Sequence, residues 1–295
     1  MAIKPKTDSN PLVSVVIINW NRKDVIKETL LEMKKQTYDN YDIIVADNNS
    51  TDGAPDVIEV DFPEVKLIRL KENVGIKGYN IAFENSKGEI IVILDNDSFL
   101  ERDGIKKIVE KFKKYPNLGA LGCKVYDCNS KKVHHWHPKV RDENGPEEGF
   151  ESPLFNGCAA AVRRNVLEEV GFYPEEYFLY ENERDLCTRI INAGYDVRYY
   201  TDIIGYHKVS DVGRSSDRLI YFQTRNLLWY YWKYLPLLLS LRKSVKLMIG
   251  NLIYSLITGR FKTYLCPIAH SLMHLPMILK KRMPVRKEVI SKVLY

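Results

Sequence analysis

Two aspartates, Asp95 and Asp97, follow directly on an apolar run in the segment EIIVILDNDSFL, residues 89–100. Carboxylates one residue apart on an extended chain point in different directions, so both can meet one ligand only where the chain turns sharply. Hard oxygen ligands of this kind suit Mg²⁺ or Mn²⁺, which take their remaining ligands from water and diphosphate oxygens. The pair therefore indicates phosphate chemistry with a divalent metal ion.

The elements around this pair alternate between strand and helix patterns. Apolar, β-branched runs predict strands at residues 13–19, 42–47, 65–70 and 89–94. Helical patterns lie between them at residues 23–36 and 79–88. Strands separated by helices predict an α/β fold, with a mostly parallel sheet that is flanked by helices on both faces.

Polar residues stand at the carboxyl ends of three predicted strands, namely Asn19, Asp47 and Asp95. A single aspartate after a strand is commonly a turn former or a helix cap. Ligands of open parallel sheets, however, bind at the carboxyl ends of the strands. Three such residues at successive strand ends therefore predict one shared crevice.

The sequence contains no motif for several other kinds of functional site. The chain has no GxxxxGK[ST] phosphate loop, and the turn after the first strand reads NWNRKD instead of GxGxxG, which counts against a dinucleotide oxidoreductase. The five cysteines are scattered and form no CxxC pair, so neither a disulfide framework nor a zinc site is expected. An intracellular setting fits this usage, and the N-terminus lacks the apolar core of a signal peptide.

The charge of the chain is divided unevenly. Residues 211–295 contain fifteen Lys and Arg against three acidic residues, so this tail carries about +12 and the preceding body about −6. Long uncharged apolar stretches at residues 247–259 and 263–279 interrupt the basic residues. This pattern favours an interfacial helix on an anionic membrane surface over nucleic-acid binding. Helices that pack on the body or on a partner are the alternative.

Seven motifs occur in the order that is typical of glycosyltransferase family 2. They are VSVVIINWN, VADNNSTDG, ENVGIKGYN, ILDND, FNGCAAAVRR, FLYENERDLCTRIINAGYDV, and YH followed by YFQTRN. The chain resembles the rhamnosyltransferase-like branch of this family over about residues 11–229. The resemblance implies the Rossmann-like GT-A fold, with a helical C-terminal extension outside the match, and sugar transfer that inverts the anomeric centre.

The resemblance assigns the donor side of the crevice. It implies that Asp47 holds a pyrimidine, and that four further residues line the nucleoside pocket, namely Asn19, Asn21, Asn73 and Gly75. Glycine permits close approach of the backbone to a ligand. In the DND motif, the resemblance places Asp95 towards the ribose and Asp97 on the metal.

Two residues further along complete this side. His207 matches a family histidine that can join the metal and diphosphate site, or it is a satisfied core residue. Arg225 either neutralises diphosphate charge or pairs with a carboxylate of the body.

The catalytic base is expected in the segment YENERDLC. Relatives carry a Glu-Asp pair just before this turn, and its second member takes the acceptor proton. Here the two positions are Asn182 and Glu183, so the sequence departs from the family pattern at both. Glu183 retains a carboxylate and is the expected base. Asp185 is expected to orient the helix or the acceptor.

The acceptor side is expected to include Asn156 and Gly157, which fall where relatives shape the sugar and acceptor pocket. Trp136 lies in the segment KKVHHWHPKV, residues 131–140, and could stack on a sugar ring or a lipid-linked acceptor. The histidines around it match no zinc spacing.

The residue patterns predict a divalent metal, Mg²⁺ or Mn²⁺. With the family resemblance, they imply a metal-dependent inverting glycosyltransferase that uses a UDP- or dTDP-linked sugar. Residues 1–210 would form the catalytic domain, and residues 211–295 would hold it peripherally at the cytoplasmic face of the membrane, near glycan or lipid-linked acceptors. A sugar nucleotidyltransferase and a catalytically inactive carbohydrate- or nucleotide-binding scaffold are the alternatives. A partner nucleic acid is not expected.

Overall fold

A computed structural model describes residues 10–134, 144–208 and 216–294. Within these residues the strands are β1 (Val13–Asn19), β2 (Tyr41–Asp47), β3 (Lys66–Arg69), β4 (Ile90–Asp95), β5 (Ser98–Leu100), β6 (Leu118–Asp127), β7 (Phe150–Glu151), β8 (Ala160–Arg163) and β9 (Asp196–His207). The helices of the body are α1 (Lys23–Met33), α2 (Ala54–Asp61), α3 (Lys77–Glu84), α4 (Gly104–Lys114), α5 (Arg164–Val170) and α6 (Asn182–Ala193).

The strands of the described residues form one sheet in the order β3-β2-β1-β4-β8-β6-β9-β5, and β7 pairs with β9. β1, β2, β3 and β4 are mutually parallel, and β6 is parallel to β9. β8 runs antiparallel between β4 and β6, and β5 and β7 run antiparallel to β9. The predicted mostly parallel sheet with flanking helices is confirmed.

The register of the central strands brings three polar strand ends together. Asn19 at the end of β1 lies opposite Asp47 at the end of β2. On its other side, Ile18 of β1 lies opposite Asp95 of β4. The carboxyl ends of these parallel strands therefore share one edge of the sheet, as the sequence pattern predicts.

Two apolar clusters cover the two faces of the sheet. Adjacent residues of β1 point to opposite faces, as strand geometry requires, so Val15 joins one cluster and Val16 the other. The first cluster also holds Leu30 of α1 and Ile108 of α4. The second includes Leu186 of α6 and thereby anchors the helix on which Glu183 stands.

The segment of residues 216–294 is mostly helical, as predicted. Its helices are α7 (Ser216–Tyr234), α8 (Leu237–Thr258), α9 (Phe261–Met273), α10 (Leu275–Lys280) and α11 (Ile290–Val293), with a 3₁₀ turn at Lys287–Val289. Trp229 and Tyr230 of α7, Ile278 of α10 and Val293 of α11 belong to the second apolar cluster. The extension therefore shares a core with the body. Among the described residues, no helix combines the length and apolar character that crossing a bilayer requires.

Candidate active site

The ends of β1, β2 and β4 are tied together by side-chain amides. Nδ2 of Asn19 donates to Oδ2 of Asp47 over 2.8 Å, and Nδ2 of Asn96 donates to Oδ1 of Asn19 over 2.8 Å. Asn19 therefore links the loop after β2 to the DND turn. The side-chain amide of Asn19 donates one hydrogen bond and accepts another, which fixes its position relative to both Asp47 and Asn96.

Asp47 is almost fully buried, with an exposed fraction of 1%. Besides Asn19, its carboxylate accepts hydrogen bonds from the backbone N–H and the hydroxyl of Ser50, each over 2.7 Å. Asn21, with a positive φ of 49°, accepts from the N–H of Thr51 over 2.7 Å. Asp47 and Asn21 thus shape the loop at the expected nucleoside pocket.

The ENVG segment packs closely against Phe178. Oδ1 of Asn73 accepts the N–H of Gly75 over 3.0 Å. Gly75 has a φ of +62°, and a Cβ on it would lie 2.2 Å from the carbonyl oxygen of Phe178. The close approach of Phe178 is by itself sufficient to require a glycine at this position, and the approach of a nucleotide to Gly75 stays a prediction.

The DND motif makes the sharp turn that a shared ligand requires. β4 ends at Asp95, and β5 begins at Ser98 and pairs antiparallel with β9, which sets Ser98 opposite His207. One ligand atom each from Asp95, Asp97 and His207 lie within 4.8 Å of one another. Nε2 of His207 is 3.0 Å from Oδ1 of Asp97.

The chemistry of these donors fits a divalent metal ion. Carboxylates suit Mg²⁺ and Mn²⁺, and an imidazole nitrogen is a ligand for transition metals, so the set of Asp95, Asp97 and His207 could hold Mn²⁺. The resemblance places Asp97 and His207 on the metal and Asp95 towards the ribose, and the structure brings all three side chains together.

Arg22 is a site residue that the sequence analysis missed. Its Nη1 lies 2.5 Å from Oδ2 of Asp97, so a guanidinium contacts the expected metal ligand. Arg22 belongs to the NWNR turn directly after β1, and that position next to a strand end was the available signal. The contact neutralises part of the negative charge that gathers around the DND turn.

Glu183 stands in the first turn of α6, against the loop that carries Gly157. A Cβ on Gly157 would lie 2.4 Å from Oε1 of Glu183, so a larger residue here would displace this carboxylate. Burial raises the pKa of Glu183 to about 7, and the negative charges of Asp95 and Glu181 act in the same direction. Asp95 is therefore near enough to Glu183 to act on it electrostatically.

The helix start beneath Glu183 is unusual. Tyr180 and Glu181 have φ values of 65° and 63°, a left-handed conformation that non-glycine residues adopt rarely. The N–H of Asp185 then donates to the carbonyl of Glu181 over 3.0 Å and begins the helical bonding.

Of the other expected acceptor residues, Asn156 caps its own loop by accepting the N–H of Cys158 over 3.3 Å. Gly157 adjoins Glu183, as described. Trp136 lies outside the described residues.

Asp185 is enclosed within the protein by two cationic side chains. It is fully buried, and its two carboxylate oxygens accept from Nε of Arg189 and Nζ of Lys233, each over 2.8 Å. Burial alone would raise the pKa of Asp185, but the two cations outweigh burial and hold the pKa below its ordinary value. Of its two expected roles, orienting the helix fits this geometry and contacting the acceptor does not.

Arg225 of α7 lies among aromatic side chains. Its guanidinium sits 4.4 Å from the ring centre of Trp229 and 4.8 Å from that of Phe222, and Nη2 donates to the carbonyl of Glu176 over 3.3 Å. Burial lowers its pKa. Among the described residues, the arginine contacts aromatic rings, a backbone carbonyl and the side chain of Asn226. A role at the diphosphate stays a prediction.

The chain is similar to known glycosyltransferases in sequence and to solved structures in fold. The chain is 25% identical over 252 residues to the uncharacterized glycosyltransferase YfnE of Bacillus subtilis, covering 66% of this chain and 64% of YfnE. It is 28% identical over 260 residues to the dTDP-rhamnosyl transferase RfbF of Shigella flexneri, covering 80% of this chain and 86% of RfbF. The chain thus spans under two thirds of the length of YfnE but most of RfbF.

Among solved structures, the mannosyltransferase PcManGT of Pyrobaculum calidifontis, in complex with GDP-Man and Mn²⁺, superposes with a TM-score of 0.57. The identity is 20%, and the match covers 95% of this chain and 75% of that one. A likeness at this identity shows a shared fold, and it confirms the expected GT-A architecture. The glycosyl transferase family 2 model matches residues 14–171, more than half of the 295 residues, and the chain therefore belongs to glycosyl transferase family 2.

Proposed function

We propose that this protein is an inverting glycosyltransferase that moves a sugar from a nucleoside diphosphate to an acceptor hydroxyl. The observation that carries the proposal is the Glu183 carboxylate, which lies against Gly157 in the loop before β8 and whose pKa burial raises to about 7. A general base works best when its pKa lies near the working pH. Family membership supports the same conclusion.

In the proposed reaction, the acceptor hydroxyl attacks the anomeric carbon while Glu183 accepts the hydroxyl proton. The new glycosidic bond forms as the bond from the anomeric carbon to the diphosphate oxygen breaks, and the electron pair leaves with the nucleoside diphosphate. Attack from the face opposite the leaving group inverts the configuration. Positioning by the crevice supplies most of the acceleration.

A divalent ion held by Asp95, Asp97 and His207 would neutralise charge on the departing diphosphate. The imidazole in this donor set favours Mn²⁺ over Mg²⁺, because Mg²⁺ strongly prefers oxygen ligands in octahedral geometry. Asn19, Asn21, Asp47 and Asn73 are proposed to line the nucleoside end.

The donor that the relatives favour is dTDP-rhamnose. RfbF, which covers most of this chain, is a dTDP-rhamnosyl transferase by name. A UDP-linked hexose is the second candidate, since the resemblance includes such enzymes.

Residues 216–294 support a peripheral position on an anionic membrane. On α8 the buried positions are small or polar, namely Ser240, Ser244, Asn251 and Ser255. The exposed positions of α8 are largely apolar and include Leu238, Ile249, Leu252, Leu256 and Ile257. This arrangement is the reverse of a surface helix in water, and packing through small residues with an apolar exterior is typical of helices in contact with lipid.

Exposed cations accompany this apolar face. Arg242 and Lys246 on α8 and Lys262 on α9 are exposed, and such residues attract anionic headgroups by about 1 kcal/mol each. Such binding would bring the protein to the surface where lipid-linked acceptors lie.

Calorimetric titration with UDP, dTDP and GDP, each with and without Mn²⁺, tests the donor side. We expect metal-dependent binding of one pyrimidine diphosphate, and loss of that binding in Asp97→Ala. Donor hydrolysis or transfer then tests the base, because Glu183→Gln should abolish turnover and leave diphosphate affinity within about threefold. Folded protein that binds no diphosphate would make an inactive scaffold the better description.

A further inference from the structure

The turn that precedes the proposed base is strained and needs an external support. Tyr180 and Glu181 are consecutive left-handed residues with φ values of 65° and 63°. Such residues cost about 1–3 kcal/mol each and persist only where surrounding contacts impose them. The support comes from α7, which lies some forty residues further along the chain.

Asn226 of α7 supplies the central contact. Its Nδ2 donates to the carbonyl of Leu179 over 2.7 Å and to the carbonyl of Tyr180 over 2.9 Å. The side chain has an exposed fraction of 0%. One buried amide group thus satisfies two carbonyls of the strained turn with both of its N–H donors.

Arg225 fixes the orientation of this amide. Its Nε donates to Oδ1 of Asn226 over 2.9 Å. The amide oxygen therefore faces a donor and the amide nitrogen faces two acceptors, an arrangement that the flipped amide could not satisfy. The same arginine donates to the carbonyl of Glu176, so it contacts the segment before the turn as well.

The opposite side of the segment is held by the loop before α3. The N–H of Ile76 donates to the carbonyl of Phe178 over 3.1 Å, and Gly75 leaves space for that carbonyl. The ring of Phe178 stacks on that of Phe222 of α7 at 5.5 Å between centres. The segment from Glu176 to Glu181 is therefore clamped between α7 and the loop before α3.

We propose that Asn226, oriented by Arg225, is a positioning residue that imposes the left-handed turn at Tyr180 and Glu181 and so aims the Glu183 carboxylate at the acceptor hydroxyl. The inference rests on the proposed function for the role of Glu183. It also places α7 functionally with the catalytic body, although α7 belongs to the extension predicted from residue 211 onward.

The matched test compares Asn226→Asp with Asn251→Asp. Asn226→Asp keeps the shape of the side chain and removes both donors, so the two carbonyls lose their partners. Asn251 of α8 is also buried, and its Nδ2 donates to a backbone carbonyl, that of Leu247, over 2.9 Å. It serves as the control because it bonds to Leu247 of α8 and Thr224 of α7, and neither belongs to the turn before α6.

We expect Asn226→Asp to lower kcat by about 30- to 100-fold, since a misplacement of about 1 Å can cost that much. Affinity for the nucleoside diphosphate should stay within about threefold, because the crevice at β1, β2 and β4 is untouched. The acidic limb of the pH profile should also move to lower pH as the loosened glutamate meets water. Asn251→Asp should change none of these. Equal losses in both variants, or full kcat in folded Asn226→Asp, would overturn the proposal.

A second measurement needs no turnover and separates this proposal from the proposed function. Hydrogen exchange of the backbone amides in the first turn of α6 should speed up in Asn226→Asp and stay as in the wild type in Asn251→Asp. Asn226→Ala, which introduces no charge, should give the same exchange pattern if the aspartate variant fails to fold. Unchanged exchange in a folded Asn226 variant would refute the clamp, whereas wild-type protein without transferase activity would refute only the function.

Discussion

Arg22 and Asp97 form an ion pair across the crevice, with Nη1 of Arg22 2.5 Å from Oδ2 of Asp97. Asp97 also faces Nε2 of His207 at 3.0 Å from its other oxygen. A metal ion that binds Asp97 must therefore compete with a guanidinium already at the carboxylate. Once displaced, Arg22 would be a cation beside the diphosphate, where its planar group suits phosphate oxygens.

This competition predicts that Arg22→Ala binds Mn²⁺ more tightly than the wild type. A hydrogen bond to a charged group contributes about 1.5–3 kcal/mol, so we expect about a tenfold gain in affinity for Mn²⁺ alone, which corresponds to ~1.4 kcal/mol. Titration followed by electron paramagnetic resonance measures it without donor.

Lys27→Ala is the matched control, because Lys27 pairs with Asp61 on the exposed surface of α1 and α2. It should leave Mn²⁺ affinity unchanged. Weaker Mn²⁺ binding in Arg22→Ala would mean that Arg22 holds Asp97 ready for the metal instead of competing with it.

The pKa of Glu183 predicts how activity depends on pH. A general base acts as its carboxylate, so kcat/KM should rise with pH and level off above about 7, the value to which burial raises this pKa. Between pH 7 and pH 5 we expect kcat/KM to fall about fiftyfold, because the carboxylate fraction drops from about one half to about one hundredth. Calorimetric binding of metal and diphosphate at each pH separates this from loss of the metal. A profile that stays flat down to pH 5 would exclude Glu183 as the base.

Gly157→Ala should damage catalysis without damaging donor binding. Its new Cβ would lie 2.4 Å from Oε1 of Glu183, so the carboxylate must move. We expect kcat to fall by about 10- to 100-fold and the diphosphate affinity to hold. Gly250→Ala in α8 is the control, because its Cβ would meet nothing within 4 Å, and it should raise stability by up to about 1 kcal/mol. Full kcat in Gly157→Ala would show that the glutamate has room to adjust.

The sequence predicts most of the strand framework and the edge where the site forms. Asn19, Asp47 and Asp95 could be placed together because parallel strands that follow one another end at the same edge. The turn at the DND motif could be inferred from the need for two carboxylates to converge. These are local patterns combined with one topological rule.

The contacts that position the base are not local. Asp185 and Lys233 are 48 residues apart, and Asn226 and Leu179 are 47 apart. No periodicity or composition marks such pairs, because each residue alone resembles an ordinary polar position on a helix. The contact between Gly75 and Phe178 could not be predicted either, because Phe178 comes from a distant part of the chain.

The apolar exterior of α8 yields a prediction about lipid binding. Ile257 is 74% exposed on this helix, and burying such a side chain in a bilayer interface contributes about 2 kcal/mol. Ile257→Glu removes that contribution and adds repulsion from anionic headgroups, so binding to vesicles of anionic phosphatidylglycerol should weaken at least tenfold in a sedimentation assay.

Val60→Glu provides the comparison that makes this assay decisive. Val60 is 77% exposed on α2 of the body, so the substitution changes hydropathy and charge by nearly the same amount away from α8. We expect it to leave vesicle binding unchanged, and neutral phosphatidylcholine vesicles to bind the wild type more weakly than anionic ones. If both variants bind anionic vesicles as the wild type does, the face of α8 is covered by protein and not by lipid. If both weaken equally, net charge governs the attraction and the apolar face plays no specific part.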